Sequence, residues 1–105
     1  RDGASLGGEG VSDSRLTPAG EKRLLVLQSD VAPGGGSGDE PYSLAGDAEF
    51  VYVIEGLLDI TVGDVRYRLA TGDSLTFDAT TARRWSNPSV AYATRLLWVL
   101  APALD

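Results

Sequence analysis

Apolar and polar residues alternate along several short segments, and glycine or proline separates these segments. Residues 57–62 alternate from Leu58 onward, and residues 65–69 place two arginines on the face opposite Val65, Tyr67 and Leu69. A period of two predicts half-buried strands. Gly63-Asp64 between the runs predicts a hairpin with a type II′ turn, because glycine in the first loop position accepts a positive φ.

Further strands are predicted on both sides of this hairpin. They comprise residues 49–55, which end at Gly56; residues 74–78, after the corner Gly72-Asp73; residues 83–87; and residues 92–100. The apolar run 24–27 is typical of a strand buried on both faces, whereas the glycine-rich residues 32–38 predict a loop. In an extended 83–87 segment, Arg83, Trp85 and Asn87 share a face. Because no segment has a helical period, the pattern predicts an all-β sandwich or small barrel.

The chain has 105 residues, which is the size of one domain. Residues 1–20 contain few apolar side chains, so we expect a flexible linker or N-terminal arm there and the folded domain in residues 21–105. The sequence begins with Arg1 and contains no methionine. We therefore expect a fragment or a processed product with something upstream.

Charge and composition exclude several functions. The net charge is −6, which argues against direct binding to nucleic acid or to an anionic membrane surface. No apolar run approaches the roughly 20 residues of a membrane span. The absence of cysteine and histidine removes thiolate chemistry, the commonest metal ligand and the commonest general base.

Two spaced motifs in this chain resemble those of the cupin family. Glu49 precedes Gly56 by the spacing that ends the first motif, and Gly72 and Asn87 match the frame of the second. Only 15 residues separate Gly56 from Gly72, which is similar to the short microbial form. The resemblance implies a jelly-roll barrel, or double-stranded β-helix, over about residues 22–101.

The chain departs from the cupin pattern at the metal ligands. The first histidine pair of metal-binding cupins falls on Tyr42 and Leu44, or one residue later on Ser43 and Ala45, and the last histidine falls on Arg83. Only Glu49 remains of the four ligands. One carboxylate does not hold a transition metal with the usual geometry, so we expect no metal cofactor and no metal-dependent chemistry.

A narrower resemblance is carried by residues 49–56, 67–75 and 84–88. These phrases look like the C-terminal cupin of bacterial regulators that have an N-terminal helix-turn-helix of the lambda-repressor, or xenobiotic-response, type. The resemblance implies a cytoplasmic, non-catalytic domain for small-molecule sensing and dimerisation. It also implies DNA contact only through a separate upstream domain outside this chain, and no membrane partner. For the homodimer, we expect residues 24–27 to contribute to the interface.

The family frame nominates a ligand site. Glu49 is either a pocket carboxylate or a strand-edge charge, and Arg83 is either an inward anchor for an anionic effector or a solvated turn residue. If both point inward, they would pair in place of the metal. Aromatic side chains would then line a cavity or simply fill the barrel: Trp85, Phe77, Tyr42 and Trp98.

Two other functions stay open at this stage. The first is a metal-independent cupin enzyme, of the epimerase or lyase type, acting on a small acid or sugar. Its acid–base chemistry usually needs histidine or a lysine–tyrosine pair, and the only lysine is Lys22. The second is a scaffold with a filled barrel, which the absence of an interior cavity would favour.

Overall fold

The computed structural model of the protein describes residues 8–104, which form eight β-strands and no helix. The strands are β1 (Glu9–Arg15), β2 (Leu25–Gly36), β3 (Ala48–Glu55), β4 (Leu57–Val62), β5 (Val65–Ala70), β6 (Ser74–Asp78), β7 (Arg83–Ser86) and β8 (Thr94–Ala101). The predicted all-β jelly-roll architecture is confirmed. Within the same residues, no helix is long and apolar enough to cross a membrane.

All strand pairs are antiparallel, and the sheet order is β5-β4-β7-β2-β8-β3-β6. Strand β2 joins the two sides of the barrel, because it pairs with β8 from Leu25 to Val31 and meets β7 at Gly36. A Cβ atom on Gly36 would clash with the carbonyl oxygen of Trp85, so the crossing requires glycine. The prediction of a loop at 32–38 is therefore wrong for residues 32–36, which continue β2.

Residues 9–15, near the N-terminus, form a strand. Residues Glu9–Arg15 pair antiparallel with β2, and Val11 is buried. Within residues 1–20, where a flexible linker or N-terminal arm is expected, residues Glu9–Arg15 therefore form an edge strand of the sheet. Strand β1 alternates inward and outward side chains, with Val11 facing the core, and it gains the backbone hydrogen bonds of the β2 edge. Residues 1–7 lie outside the described part of the chain.

The β4–β5 hairpin has the predicted register and turn. Val62 faces Val65 across the two-residue loop, and Gly63 has a φ of 58°. The predicted inner face is correct only near its base, where Leu69 is buried. Val65 and Tyr67 are 51% and 37% exposed, because this end of the hairpin extends past the core.

The core consists of inward side chains from opposite walls of the barrel. Its largest apolar members come from β2, β3, β4, β7 and β8: Leu25, Leu27, Val31, Val51, Val53, Leu58, Ile60, Trp85, Leu96, Trp98 and Leu100. Strand β2 alternates, with Leu25 and Leu27 buried and Val26 half-buried. The expectation that residues 24–27 are buried on both faces is thus wrong for the chain alone, and Leu24 lies exposed just before the strand.

Candidate functional site

One end of the barrel interior contains a buried ion pair. Glu49 points inward from β3, between Leu100 of β8 and Phe77 of β6, and Arg83 points inward from the start of β7. The Arg83 Nη2 atom lies 3.3 Å from Glu49 Oε1, and their side chains are 0% and 1% exposed. Both side chains therefore lie in the interior, where they pair with each other.

Most polar atoms of this pair have no hydrogen-bond partner within the described residues. The Arg83 Nη2 atom donates to the Ala79 carbonyl oxygen at 2.9 Å, but Nε and Nη1 are unpartnered. Both carboxylate oxygens of Glu49 and the indole nitrogen of Trp98 also lack a partner. A buried polar atom without a partner costs about 1–3 kcal/mol, so this end of the barrel is energetically unfavourable as it stands.

Four aromatic side chains surround the pair. The guanidinium carbon of Arg83 lies 5.2 Å from the ring centre of Tyr42 and 4.9 Å from that of Phe77, within cation–π range. The indole nitrogen of Trp85 donates to the Tyr42 hydroxyl at 2.9 Å. Trp85 packs on Trp98 with ring centres 5.3 Å apart. Arg83 thus has aromatic neighbours from two separate parts of the chain, and the two tryptophans extend this aromatic cluster through Tyr42.

Tyr42 belongs to the segment 37–47, which covers this end of the barrel. Tyr42 exchanges two backbone hydrogen bonds with Arg83, at 2.8 and 2.9 Å, although it lies outside the named strands. Tyr42 and Leu44 are half-buried against the core, whereas Ser43 and Ala45 are exposed. Of the two pairs at the family's histidine positions, Tyr42 and Leu44 therefore face inward.

Burial changes the protonation chemistry of two side chains. Desolvation raises the pKa of Glu49 from 4.5 to about 7, and the nearby Arg83 guanidinium offsets only part of that rise. Desolvation also raises the pKa of Tyr42 to about 12. Glu49 is thus a carboxyl group that changes charge near neutral pH, while the Tyr42 phenol stays protonated.

The residues at this end do not fit the metal ion that metal-binding cupins hold. The Arg83 guanidinium occupies the space beside Glu49, and a cation would be repelled there. Tyr42 and Leu44 supply no nitrogen ligand. Among residues 8–104, no group of three or more histidine, cysteine, aspartate or glutamate side chains could hold a metal. These residues are therefore not suited to metal-dependent chemistry.

All six predicted site residues fall in this one cluster, which we call the Arg83 cluster: Glu49, Arg83, Trp85, Phe77, Tyr42 and Trp98. The gap bounded by Leu25, Glu49 and Trp98 is too narrow to admit a water molecule. The Ala79 carbonyl could not be predicted as a partner of Arg83, because every residue type carries a backbone carbonyl group and the sequence does not mark which one accepts. Asn87 stabilises the turn at Pro88, since Asn87 Oδ1 accepts from the Ser89 amide at 3.0 Å.

The fold and motif spacing define a cupin domain, and comparison with known families agrees. The family Cupin_2, described as "Cupin domain", matches residues 28–100. The chain belongs to this family. No curated protein sequence matches the chain.

Solved structures similar to this chain include both regulators and other proteins. The Cupin_2 domain of an XRE family transcriptional regulator from Enterobacter cloacae is 21% identical, with a TM-score of 0.77, and the match covers 91% of this chain and all of that one. An HTH_3 family transcriptional regulator from Vibrio cholerae is 15% identical, with a TM-score of 0.72 and 90% of this chain but 52% of that one covered. KdgF from Halomonas sp. is 14% identical, with a TM-score of 0.76 and coverages of 91% and 82%. At these identities the likeness establishes the fold.

Proposed function

We propose that this cupin domain is a non-catalytic, metal-free sensor of a small anionic molecule and a dimerisation module of a bacterial, cytoplasmic transcriptional regulator. DNA contact would then belong to a separate upstream domain. The observation that carries the sensor proposal is the set of unpartnered polar atoms on Glu49, Arg83 and Trp98. A ligand that bonds to them would recover the free energy that their isolation costs.

A ligand must displace the Tyr42 side chain to reach Arg83, because Tyr42 is the half-buried neighbour of the guanidinium on the covering segment. This displacement breaks the hydrogen bond between Trp85 and Tyr42. Binding would thereby change the conformation of segment 37–47, and such a change can be transmitted to a neighbouring domain.

The ligand proposal is tested by calorimetry with a panel of small carboxylates, including formate and benzoate. We expect Arg83→Ala to weaken binding tenfold to a hundredfold, because a hydrogen bond to a charged group contributes about 1.5–3 kcal/mol. Arg84→Ala is the matched control, since Arg84 is the next residue along β7 and its side chain is exposed. Equal affinity of the wild type and Arg83→Ala would contradict the proposal.

The dimerisation proposal rests on the outer face of strands β2, β8 and β3. Two adjacent rows of cross-strand neighbours on this face precede the charged row Asp30, Arg95 and Glu55: Val26, Val99 and Phe50, then Gln28, Leu97 and Tyr52. None of these six side chains is charged, although the chain carries a net charge of −6. Two like-charged copies can approach each other most easily through such an uncharged face. The interface would thus extend well beyond residues 24–27.

A charge in the centre of this face should dissociate the homodimer. We expect Leu97→Asp to give a monomeric mass in light scattering at micromolar concentration, where the wild type gives a dimeric mass. Thr61→Asp is the control, because Thr61 lies on the outer surface of the opposite wall, between Arg66 and Arg84. A monomeric wild type would remove the proposal.

A filled-barrel scaffold is the second candidate, and it is favoured by the gap beside Glu49 and Trp98, which is too narrow for a water molecule. A scaffold binds no carboxylate, so the calorimetric panel separates the two candidates. A metal-independent enzyme has less support. The chain contains no histidine, and its sole lysine, Lys22, is exposed outside the barrel strands.

A further inference from the structure

We propose that binding of an anion at Arg83 is coupled to the uptake of one proton by Glu49, so that the domain responds to pH as well as to its ligand. This inference rests on the proposed sensor function. It deepens that function by assigning Glu49 a regulatory role distinct from ligand anchoring.

The argument begins with the charge balance of the interior. Among the described residues, Arg83 and Glu49 are the charged side chains that are fully buried, and they lie 3.3 Å apart. Their charges cancel. An anionic ligand at Arg83 would place a second negative charge beside Glu49 in a space without solvent. Two carboxylates that share one cation in such a space cannot both stay ionised, and they retain a proton between them.

Glu49 is also placed to use that proton. Neither of its oxygens has a hydrogen-bond partner in the described chain. A protonated Glu49 can therefore donate to the ligand's carboxylate while Arg83 donates from its free nitrogens. The proton comes from solvent and stays on the Glu49–ligand pair, and no covalent bond changes.

The other groups near Glu49 do not compete for the proton. From β8, β2 and β6, the neighbours have no titratable group: Leu100, Trp98, Leu25, Leu27 and Phe77. Tyr42, on the covering segment, has its pKa raised to about 12 and stays protonated. Asp13 of β1 contributes to the raised pKa of Tyr42 and is absent from the groups that shift the pKa of Glu49; it accepts a hydrogen bond from Ser29 at 2.6 Å.

Calorimetry of the wild type with benzoate and with formate, between pH 6 and 8.5, tests the coupling. Each pH is measured in two buffers with different ionisation enthalpies, which counts the protons taken up. We expect about one proton per anion at the high end of this range and an affinity that falls roughly tenfold per pH unit above pH 7. Glu49→Gln should bind with an affinity that does not depend on pH, because the amide mimics the protonated acid.

The control is Glu55→Gln, at the exposed end of the same strand, which should keep the wild-type pH dependence. If an anion binds the wild type with the same affinity at every pH and without proton uptake, the coupling is overturned and the sensor proposal stands. If neither benzoate nor formate binds the wild type or Glu49→Gln, the sensor proposal fails and the coupling fails with it. The wild-type proton count decides the matter even if Glu49→Gln does not fold.

Discussion

The two ends of the barrel interior are built on different principles. At one end, Val53 and Leu96 pair across β3 and β8, and they share an apolar core with Leu58 and Ile60 of β4. At the other end, Glu49 and Arg83 bury two full charges and leave four of their polar atoms without hydrogen bonds. Both ends are equally inaccessible to solvent, because every one of these six side chains is at most 1% exposed.

This difference separates residues that stabilise the barrel from residues that cost it stability. Full burial of an aliphatic side chain contributes about 1.5–3 kcal/mol. A buried ion pair is often less stable than well-packed hydrophobic residues of similar volume. Apolar burial therefore explains why the first end is stable, whereas the Glu49–Arg83 pair at the other end has no such explanation. An unfavourable arrangement that nevertheless persists is typical of a functional site.

The largest effect is expected when one charge of the pair is removed. Arg83→Ala leaves Glu49 as an uncompensated buried carboxylate and opens a void beside Tyr42 and Phe77. We expect the free energy of unfolding at pH 8 to fall by about 3–5 kcal/mol. Urea unfolding followed by circular dichroism measures this loss.

The double variant Glu49→Leu/Arg83→Leu sharpens the comparison. It converts the polar end into a second apolar end, and we expect its stability to equal or exceed that of the wild type. A double variant as unstable as Arg83→Ala would show that the ion pair itself stabilises the barrel. The contrast between the two ends would then be wrong.

The next effect is a pH dependence that belongs to Glu49 alone. Its pKa is raised from 4.5 to about 7 in the folded state. The folded protein therefore binds more protons at this group than the unfolded chain does between these values, and its contribution to stability falls as pH rises through that window. Each pKa unit corresponds to about 1.4 kcal/mol, so the folded protein loses about 3 kcal/mol of stability through Glu49 by pH 8.

Comparison of the wild type with Glu49→Gln isolates the pH-dependent contribution of Glu49 to stability, because every other titrating group is common to both proteins. We expect the stability of Glu49→Gln, relative to the wild type, to increase between pH 4.5 and 8 as measured by urea unfolding. Glu55→Gln provides the control and should show no such trend. A constant difference between Glu49→Gln and the wild type would mean that Glu49 stays ionised in the fold.

Much of this architecture could be predicted from the sequence. Alternation with a period of two identified the β4–β5 hairpin and strand β3. The family spacing placed Glu49 and Arg83 at one end of the barrel. Strand β1 was missed because its residues are mostly polar. As an edge strand it depends on backbone hydrogen bonds to β2, with Val11 as its buried apolar contact. Residues 32–36 were missed because glycine normally predicts a loop, whereas here close contact with Trp85 requires it.

The state of the site could not be predicted in the same way. The sequence left open whether Arg83 points inward and whether the barrel is hollow, since both depend on how the side chains pack inside the barrel. The position of Tyr42 over Arg83 depends on two backbone hydrogen bonds between these residues. A pattern of side chains does not predict such bonds. Residue types identified the members of the cluster, and packing determined which of their atoms have partners.

The smallest effect is expected at the contact that closes the polar end. Tyr42→Phe keeps the ring beside Arg83 but removes the hydroxyl that accepts the hydrogen bond from Trp85. The indole nitrogen would lose its partner, so we expect the unfolding free energy to fall by about 1–2 kcal/mol. Tyr92→Phe is the matched control, because Tyr92 is 76% exposed and its change should alter stability by less than about 0.5 kcal/mol. Equal stabilities of the two variants would show that the covering segment is held by its backbone alone, and ligand entry would then have to break the hydrogen bonds between Tyr42 and Arg83.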